Sequence, residues 1–359
     1  MRRLAILVLL IAGLVAVYPA IVQASSPPSG QIAFERHGDI WIVDADGGHA
    51  RRLTISSKTE QRPAWSPDGR TIAFIRAGTG NGYNVCLNEI WLMNADGTNK
   101  RRVSFVLGPR VMPGTTHKQT RYGVDELAWA PNGRDIAVGA SAYSSYPDMA
   151  GGLFALQLYL VRPDGTKQRR IGPLQPGMAV DSLTWRPNGS QLLLIPWNRG
   201  AGHLVVYDLV AKRYSEPYGN REMWNAVWSP DGTRIAASVL DDRNDSSPYP
   251  SGHGGMPAYP QHLVVIDPQM QEEVHFWAPG RSIHSPVHPA WSPDGVWLAC
   301  SYPNEGERSW DTLLVSADGS ESSLLMADAE YPAWRPTSPP AQVWNPTSTA
   351  ASTPTSTPN

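Results

Sequence analysis

The chain has 359 residues and a net charge of −2, with 32 glycines and 33 prolines. That charge balance gives no global field that would draw nucleic acid or an anionic membrane surface, so neither is expected as a partner. Tryptophan is abundant (14) and phenylalanine scarce (5), an imbalance that one repeated phrase accounts for.

The N-terminus reads Met1-Arg2-Arg3, then an apolar run Leu4–Val17, then Val22-Gln23-Ala24. A basic start, an apolar centre and small residues at the end predict a secretory signal over 1–24, cut after Ala24. The chain is therefore expected outside the cytoplasm, periplasmic or secreted. The alternative is an uncleaved anchor, because Leu4–Val22 approaches membrane-spanning length. Residues 25–30 read as a short linker.

From residue 31 onward two phrases alternate. The first is built on a tryptophan: PAWSPDGRTIAF at 63–74, LAWAPNGRDIAV at 127–138, LTWRPNGSQLLL at 183–194, AVWSPDGTRIAA at 226–237, PAWSPDGVWLAC at 289–300 and a bare PAWRP at 332–336. The second includes DIWIVDADGGHARRLT at 39–54, EIWLMNADGTNKRRVS at 89–104 and LYLVRPDGTKQRRI at 158–171. Each unit holds four short apolar runs separated by Asp-Gly or Asn-Gly, residues that accept positive φ and close tight antiparallel hairpins. No long segment after the first two dozen residues has helical periodicity. Six repeats of four strands predict an all-β six-bladed β-propeller over 31–336.

The second phrase occurs once before any tryptophan phrase, and the last tryptophan phrase stands alone. The first blade thus lacks an inner strand that Pro332–Arg335 can supply. The ring is expected to close by pairing the C-terminal strand into the first blade, which removes two exposed sheet edges. Cys86 and Cys300 fall in units that are not neighbours, which predicts two unpaired thiols. Residues 337–359 are Pro, Thr, Ser and Ala with few core formers, and a disordered tail is expected.

These phrases resemble the TolB-like, WD-related propeller repeats, with a tryptophan, a Pro-Asp-Gly or Pro-Asn-Gly turn, an apolar strand and an Ile-Trp hairpin. The resemblance covers nearly the whole of 31–336. It implies the fold strongly and the function weakly, because this scaffold carries binding modules, peptidase accessory domains and some enzymes.

Two candidate surfaces arise from the predicted ring. The connections 77–88, 104–125, 139–155, 240–261, 277–287 and 301–309 are long and share one rim, whereas the turns on the other rim are minimal. Long loops on a rigid scaffold are where binding usually sits, and these carry Tyr143, Tyr146, Tyr249, His253 and Tyr259. The inner strands offer the second surface, because they line the axial channel. Three residues before each repeat tryptophan stand Arg62, Glu126, Ser182, Asn225, His288 and Tyr331. Four before stand Gln61, Asp125, Asp181, Trp224, Val287 and Glu330. These positions should ring the channel mouth on the long-loop face, where mixed polar residues suit a peptide end or a small ligand.

Sharper chemistries are missing from the sequence. It has no Gly-x-Ser-x-Gly elbow, no HExxH, no CxxC and no P-loop. Asp-Ala-Asp-Gly at 44–47 lacks the spacing and closing glutamate of a calcium loop and reads as a turn. His253, His262, His284 and His288 could converge on a metal only if successive long-loop regions meet. No cofactor is expected. The sequence reads as a monomeric, non-enzymatic propeller that binds a protein or peptide. The alternatives are a polysaccharide lyase or hydrolase, favoured by convergent histidines and carboxylates at the mouth, and a carbohydrate-binding module.

Overall fold

A computed structural model describes residues 27–78, 88–103, 120–144, 154–176, 179–198, 201–217, 221–240, 261–267, 273–276, 287–304 and 309–337. The segments expected to form the signal and the C-terminal tail beyond Thr337 lie outside them, as does Cys86. Among the described residues there is no helix, and hence none long and apolar enough to cross a membrane.

The strands form six antiparallel sheets. The first blade takes β1 (Gln31–Arg36), β2 (Asp39–Asp44) and β3 (Arg51–Arg52) from the start of the repeats and β25 (Glu330–Trp334) from their end, in the order β25-β1-β2-β3. The second is β4 (Glu60–Trp65), β5 (Thr71–Arg76), β6 (Glu89–Asn94) and β7 (Arg101–Arg102). The third is β8 (Thr120–Trp129), β9 (Ile136–Ser144), β10 (Phe154–Val161) and β11 (Gln168–Pro176). The fourth joins β12 (Ala179–Trp185), β13 (Gln191–Asn198), β15 (Val205–Asp208) and β16 (Arg213–Ser215), with the two-residue β14 (Ala201–Gly202) on β13. The fifth is β17 (Met223–Trp228), β18 (Ile235–Leu240), β19 (Gln261–Ile266) and β20 (Glu273–Phe276). The sixth is β21 (Val287–Trp291), β22 (Trp297–Pro303), β23 (Trp310–Ser316) and β24 (Ser322–Met326).

The repeated turn explains itself locally. Gly69 takes φ of +65°, its N–H donates to Ser66 O at 2.8 Å, and the Ser66 hydroxyl donates to Asp68 at 2.6 Å. The Arg70 and Thr71 amides then donate to the Asp68 and Ser66 side chains. A serine, an aspartate and a glycine thus satisfy the turn that ends every inner strand of this type. The Ser66 hydrogen bond is the main reason the Asp68 carboxyl sits below the usual carboxylate range.

The hydrophobic core is not central. It lies in six layers between neighbouring blades. Ala33, Ile40, Ile42 and Leu53 of the first blade pack on Trp65, Ile72, Phe74 and Met93 of the second. The last layer sets Trp297, Ala299 and Leu314 of the sixth blade against Ile32, Phe34, Val43 and Trp334 of the first. The repeat tryptophans stitch these layers. Trp65, Trp129, Trp185 and Trp291 each donate their indole N–H to Ala333, Ala64, Ala128 and Val227, the residue before the tryptophan of the preceding blade, at 3.1–3.4 Å. Arg335 completes the closure: its backbone N–H donates to Gln31 O, its Nε to Gly69 O, and its guanidinium lies 5.0 Å from the Trp65 ring. The expected ring closure is observed, with Ile32 opposite Trp334. Cys300 is a free, buried thiol, pushed far above its ordinary pKa by burial.

Candidate functional site

Every inner strand carries the same irregularity. Its register with the second strand slips at Gln61/Ala64, Val124/Glu126, Val180/Ser182, Trp224/Val227 and Val287/Ala290, and in the first blade at Ala33/Glu35 opposite β25. The slips take in the residue three before the tryptophan in four blades, at Arg62, Asn225, His288 and Tyr331, and the residue four before it in the other two, at Asp125 and Asp181. At four of them the chain enters the left-handed region without glycine: Arg62 (φ 54°), Asn225 (52°), His288 (51°) and Tyr331 (52°). Such residues cost roughly 1–3 kcal/mol each and persist where surrounding structure enforces them. The bulge at Tyr331 is held in part by Ser301, whose hydroxyl accepts the Tyr331 N–H at 3.0 Å. Bulges re-aim side chains, and here a residue at or beside each bulge faces the axis, two of them in the fourth blade.

Those side chains surround an axial cavity of about 410 Å³. Arg62, Glu126, Asp181 with Ser182, Asn225, His288 and Tyr331 form its polar end. Two residues further along each strand, Ala64, Ala128, Thr184, Val227, Ala290 and Ala333 are all half-buried, and their small size keeps the channel open. Trp65, Trp228, Trp291 and Trp334 and the turn prolines Pro187, Pro230 and Pro336 make the other end apolar.

The polar end divides into two halves. On one side, Arg62 forms an ion pair with Glu126 of the next blade and lies 4.7 Å over the Tyr331 ring, which in turn packs against the His288 ring at 4.3 Å with a tilt of 46°. This chain of contacts joins four blades. On the other side, polar atoms lack partners. Asp181 Oδ2, Asn225 Oδ1 and His288 Nδ1 are sealed from solvent and have no hydrogen-bond partner among the described residues. Ser182 is satisfied, its hydroxyl donating to Ala226 O at 2.8 Å. Burial pushes the Asp181 carboxyl up against the opposing pull of Arg62 and of the Asn225 backbone N–H. Burial, helped by the Arg62 charge, holds the His288 imidazole well below its ordinary pKa and so neutral. Burial also raises the Tyr331 phenol. Beside the mouth, the Glu330 carboxyl is pushed up to about 8 by burial and by its hydrogen bond to Glu35.

The six residues expected three before the tryptophans all line this cavity, and Asp181 joins them. Asp125 is half-buried, Trp224 is buried within its blade at 5% exposure, and Glu330 is half-buried; none of these three lines the cavity. Tyr143 lies on β9 opposite Arg121 and Phe154 in register. Tyr146, Tyr249, His253 and Tyr259 lie outside the described residues. His262 is buried on β19, the third strand of its blade, away from the inner strand that carries His288. Among the described residues no group of three or more His, Cys, Asp or Glu side chains could hold a metal. Glu35 is missed by the offset from the tryptophans; its one sequence signal is its place opposite Glu330 once the ring is closed.

Residues 19–215 match the model of the Tricorn protease N-terminal beta propeller domain, more than half of the chain. The chain belongs to this family. The tricorn-type propeller is similar to the uncharacterized peptidase YuxL of Bacillus subtilis, 29% identical over 214 residues, 58% of this chain and 26% of the relative. It is also similar to a component of eukaryotic translation initiation factor 3 from Cryptococcus neoformans, 38% identical over 112 residues, 31% of this chain and 14% of the relative. The chain therefore spans about a quarter or less of these curated relatives. In fold, it matches TolB from Acinetobacter baumannii with a TM-score of 0.60 at 18% identity, covering 87% of this chain and 68% of that one. The tricorn-type propeller is thus TolB-like in architecture.

Proposed function

We propose that this TolB-like propeller is an exported, non-enzymatic scaffold that binds a segment of a protein partner in the polar mouth of its axial channel. The observation that carries this reading is the set of six bulges, four of them strained at a left-handed residue, which bring polar or aromatic residues of every blade to a single cavity. A polar rim leading to an apolar floor suits an extended peptide end, whose charged terminus stays at the rim while its side chain enters the floor. Export is supported by the basic, apolar and small-residue order of residues 1–24.

Binding is favoured over catalysis by how the lining residues are engaged. A general base needs an orienting partner and a nucleophile within hydrogen-bond reach. His288 packs against Tyr331 and its Nδ1 meets no carboxylate among the described residues. A second reading, acid–base chemistry on an acidic polysaccharide, is favoured by one observation: Asp181 and His288 share the cavity and both are perturbed by desolvation. The test is capture of a partner by the immobilised mature chain. Thr184→Arg, which fills the channel from a half-buried position, is expected to abolish capture, while Arg134→Glu on the tight-turn rim leaves it intact. Capture that survives Thr184→Arg, or turnover of a polyuronate that Asp181→Asn stops, would replace this reading.

A further inference from the structure

The three unpartnered atoms sit on three consecutive inner strands: Asp181 on β12, Asn225 on β17 and His288 on β21. Buried polar atoms are nearly always satisfied, and a cluster of exceptions at one end of a cavity marks a missing hydrogen-bonding group. The kind of group can be read from the atoms. Asp181 Oδ2 and Asn225 Oδ1 are acceptors, and Nδ1 of a neutral imidazole accepts when the proton is on Nε2. The backbone N–H of Asn225 already donates to the Asp181 carboxyl and fixes it at the junction of the fourth and fifth blades.

The charge around these atoms points the same way. Arg62 is neutralised by Glu126. Tyr331, on the rim of the mouth, lies within electrostatic reach of Glu330, Asp181 and Glu35 as well as of Arg62. Even with the Glu330 proton retained, the Glu126, Glu35 and Asp181 carboxyls face the single Arg62 cation, so an entering cation gains and an entering anion loses. Without a cation, the Asp181 carboxyl is desolvated and driven toward its neutral form, a state that a bound positive charge would reverse.

Three unpartnered acceptors lining one acidic mouth match a group with three donors and one positive charge. We propose that the Asp181, Asn225 and His288 corner of the axial mouth is a subsite for a primary ammonium group of the bound polypeptide. This rests on the reading of the mouth as a partner-binding site and names the group it recognises. A primary ammonium reaches a polypeptide either as a free α-amino terminus or as a lysine side chain. The channel below the mouth, with its small residues and tryptophan floor, accommodates the part of the polypeptide attached to that group.

The direct test titrates the mature protein with n-butylammonium, n-butanol and butyrate, following the Asn225 side-chain amide and the His288 ring by NMR. Butylammonium is expected to bind at least tenfold more tightly than butanol, and butyrate to leave both signals unmoved. Asp181→Asn, close to isosteric, is expected to lose that preference while its thermal midpoint stays level or rises. Two further probes separate the sources. Glycylglycine methylamide presents only an α-ammonium and Nα-acetyl-lysine methylamide only a side-chain ammonium; the tighter of the two identifies the group. Equal binding of butylammonium and butanol, or a preference unchanged in a folded Asp181→Asn, overturns the proposal. Loss of partner capture in Thr184→Arg does not depend on either result, so the subsite and the binding mouth fail separately.

Discussion

Glu35 and Glu330 face each other as register partners across the strand pair that closes the ring. Glu35 is almost fully buried, and its Oε1 accepts the Gly38 N–H at 2.5 Å. Two carboxyls in such contact cannot both ionise cheaply, so the pair retains a proton, and burial together with Glu35 pushes Glu330 up to about 8. A proton held more tightly in the folded chain stabilises it fully below the unfolded pKa, and that contribution is lost as pH rises to the folded value. The thermal midpoint of the wild type relative to Glu330→Gln should therefore fall between pH 4.5 and about 8 and level off above. Taking the difference removes His288, whose depressed pKa slopes the other way by destabilising the fold as pH drops below 6.5. A difference that is flat in pH would show that the two carboxyls do not share a proton.

Closure by β25 predicts an asymmetric response to truncation. Removing 338–359 leaves every described contact of the ring in place and should leave the unfolding midpoint unchanged. Removing 331–359 deletes Trp334, the Arg335 contacts to Gln31 and Gly69, and the carbonyl that accepts the Trp65 indole. Loss of one buried tryptophan alone costs roughly 3–5 kcal/mol. Calorimetry should show a large drop in midpoint, with aggregation from the exposed edge of β1. Equal stability of the two truncations would contradict the closure.

The tryptophan stitch is broken at two places. Trp334 donates its indole N–H to Ser29 O at 2.9 Å instead. Trp228 Nε1 is buried and has no hydrogen-bond partner among the described residues, although Arg186 covers its ring at 5.0 Å. Trp185, one blade earlier, donates to Ala128 O at 3.2 Å. Replacing each by phenylalanine removes similar bulk but only one hydrogen bond. Trp185→Phe should cost about 1 kcal/mol more than Trp228→Phe in urea unfolding. Equal costs would place a donor–acceptor contact at Trp228 as well.

The left-handed bulge is testable without reference to any ligand. Asn225→Ala and Asn225→Gly both delete the amide, and they differ in the freedom of the backbone at φ 52°. The glycine variant should be more stable by about 1 kcal/mol, the cost of placing a Cβ in that region. Alanine as stable as glycine would mean that the strand is regular there.

The ring and its closure were legible in the sequence because each is a counting argument. Six tryptophan phrases, with a hairpin phrase before the first and none after the last, leave one arrangement that hides both edges. The mouth was legible for a related reason: residues at a fixed offset from a repeated anchor occupy equivalent places in a symmetric ring. That logic held for the six positions from Arg62 to Tyr331. It weakened one residue earlier, where Asp181 faces the cavity and Trp224 turns into its blade. The bulge breaks the strict alternation of a strand, so the facing of its neighbour depends on local packing and not on the offset. The Arg62–Glu126 pair and the Glu35–Glu330 pair depend on distances between blades and on cross-strand register, which the repeat does not specify. The anchors expected at Tyr146, Tyr249, His253 and Tyr259 lie outside the described residues.

The central claim is that the partner enters the axial mouth. The most direct measurement replaces Tyr331 with p-azidophenylalanine, close to isosteric with tyrosine, and irradiates the folded chain with its captured partner. Val210, 63% exposed on the perimeter of the fourth blade, receives the same residue as the control. The account predicts a covalent adduct from position 331, lost when Thr184→Arg fills the channel, and none from position 210. An adduct from 210 with none from 331 would place the partner on the outside of the ring and contradict it.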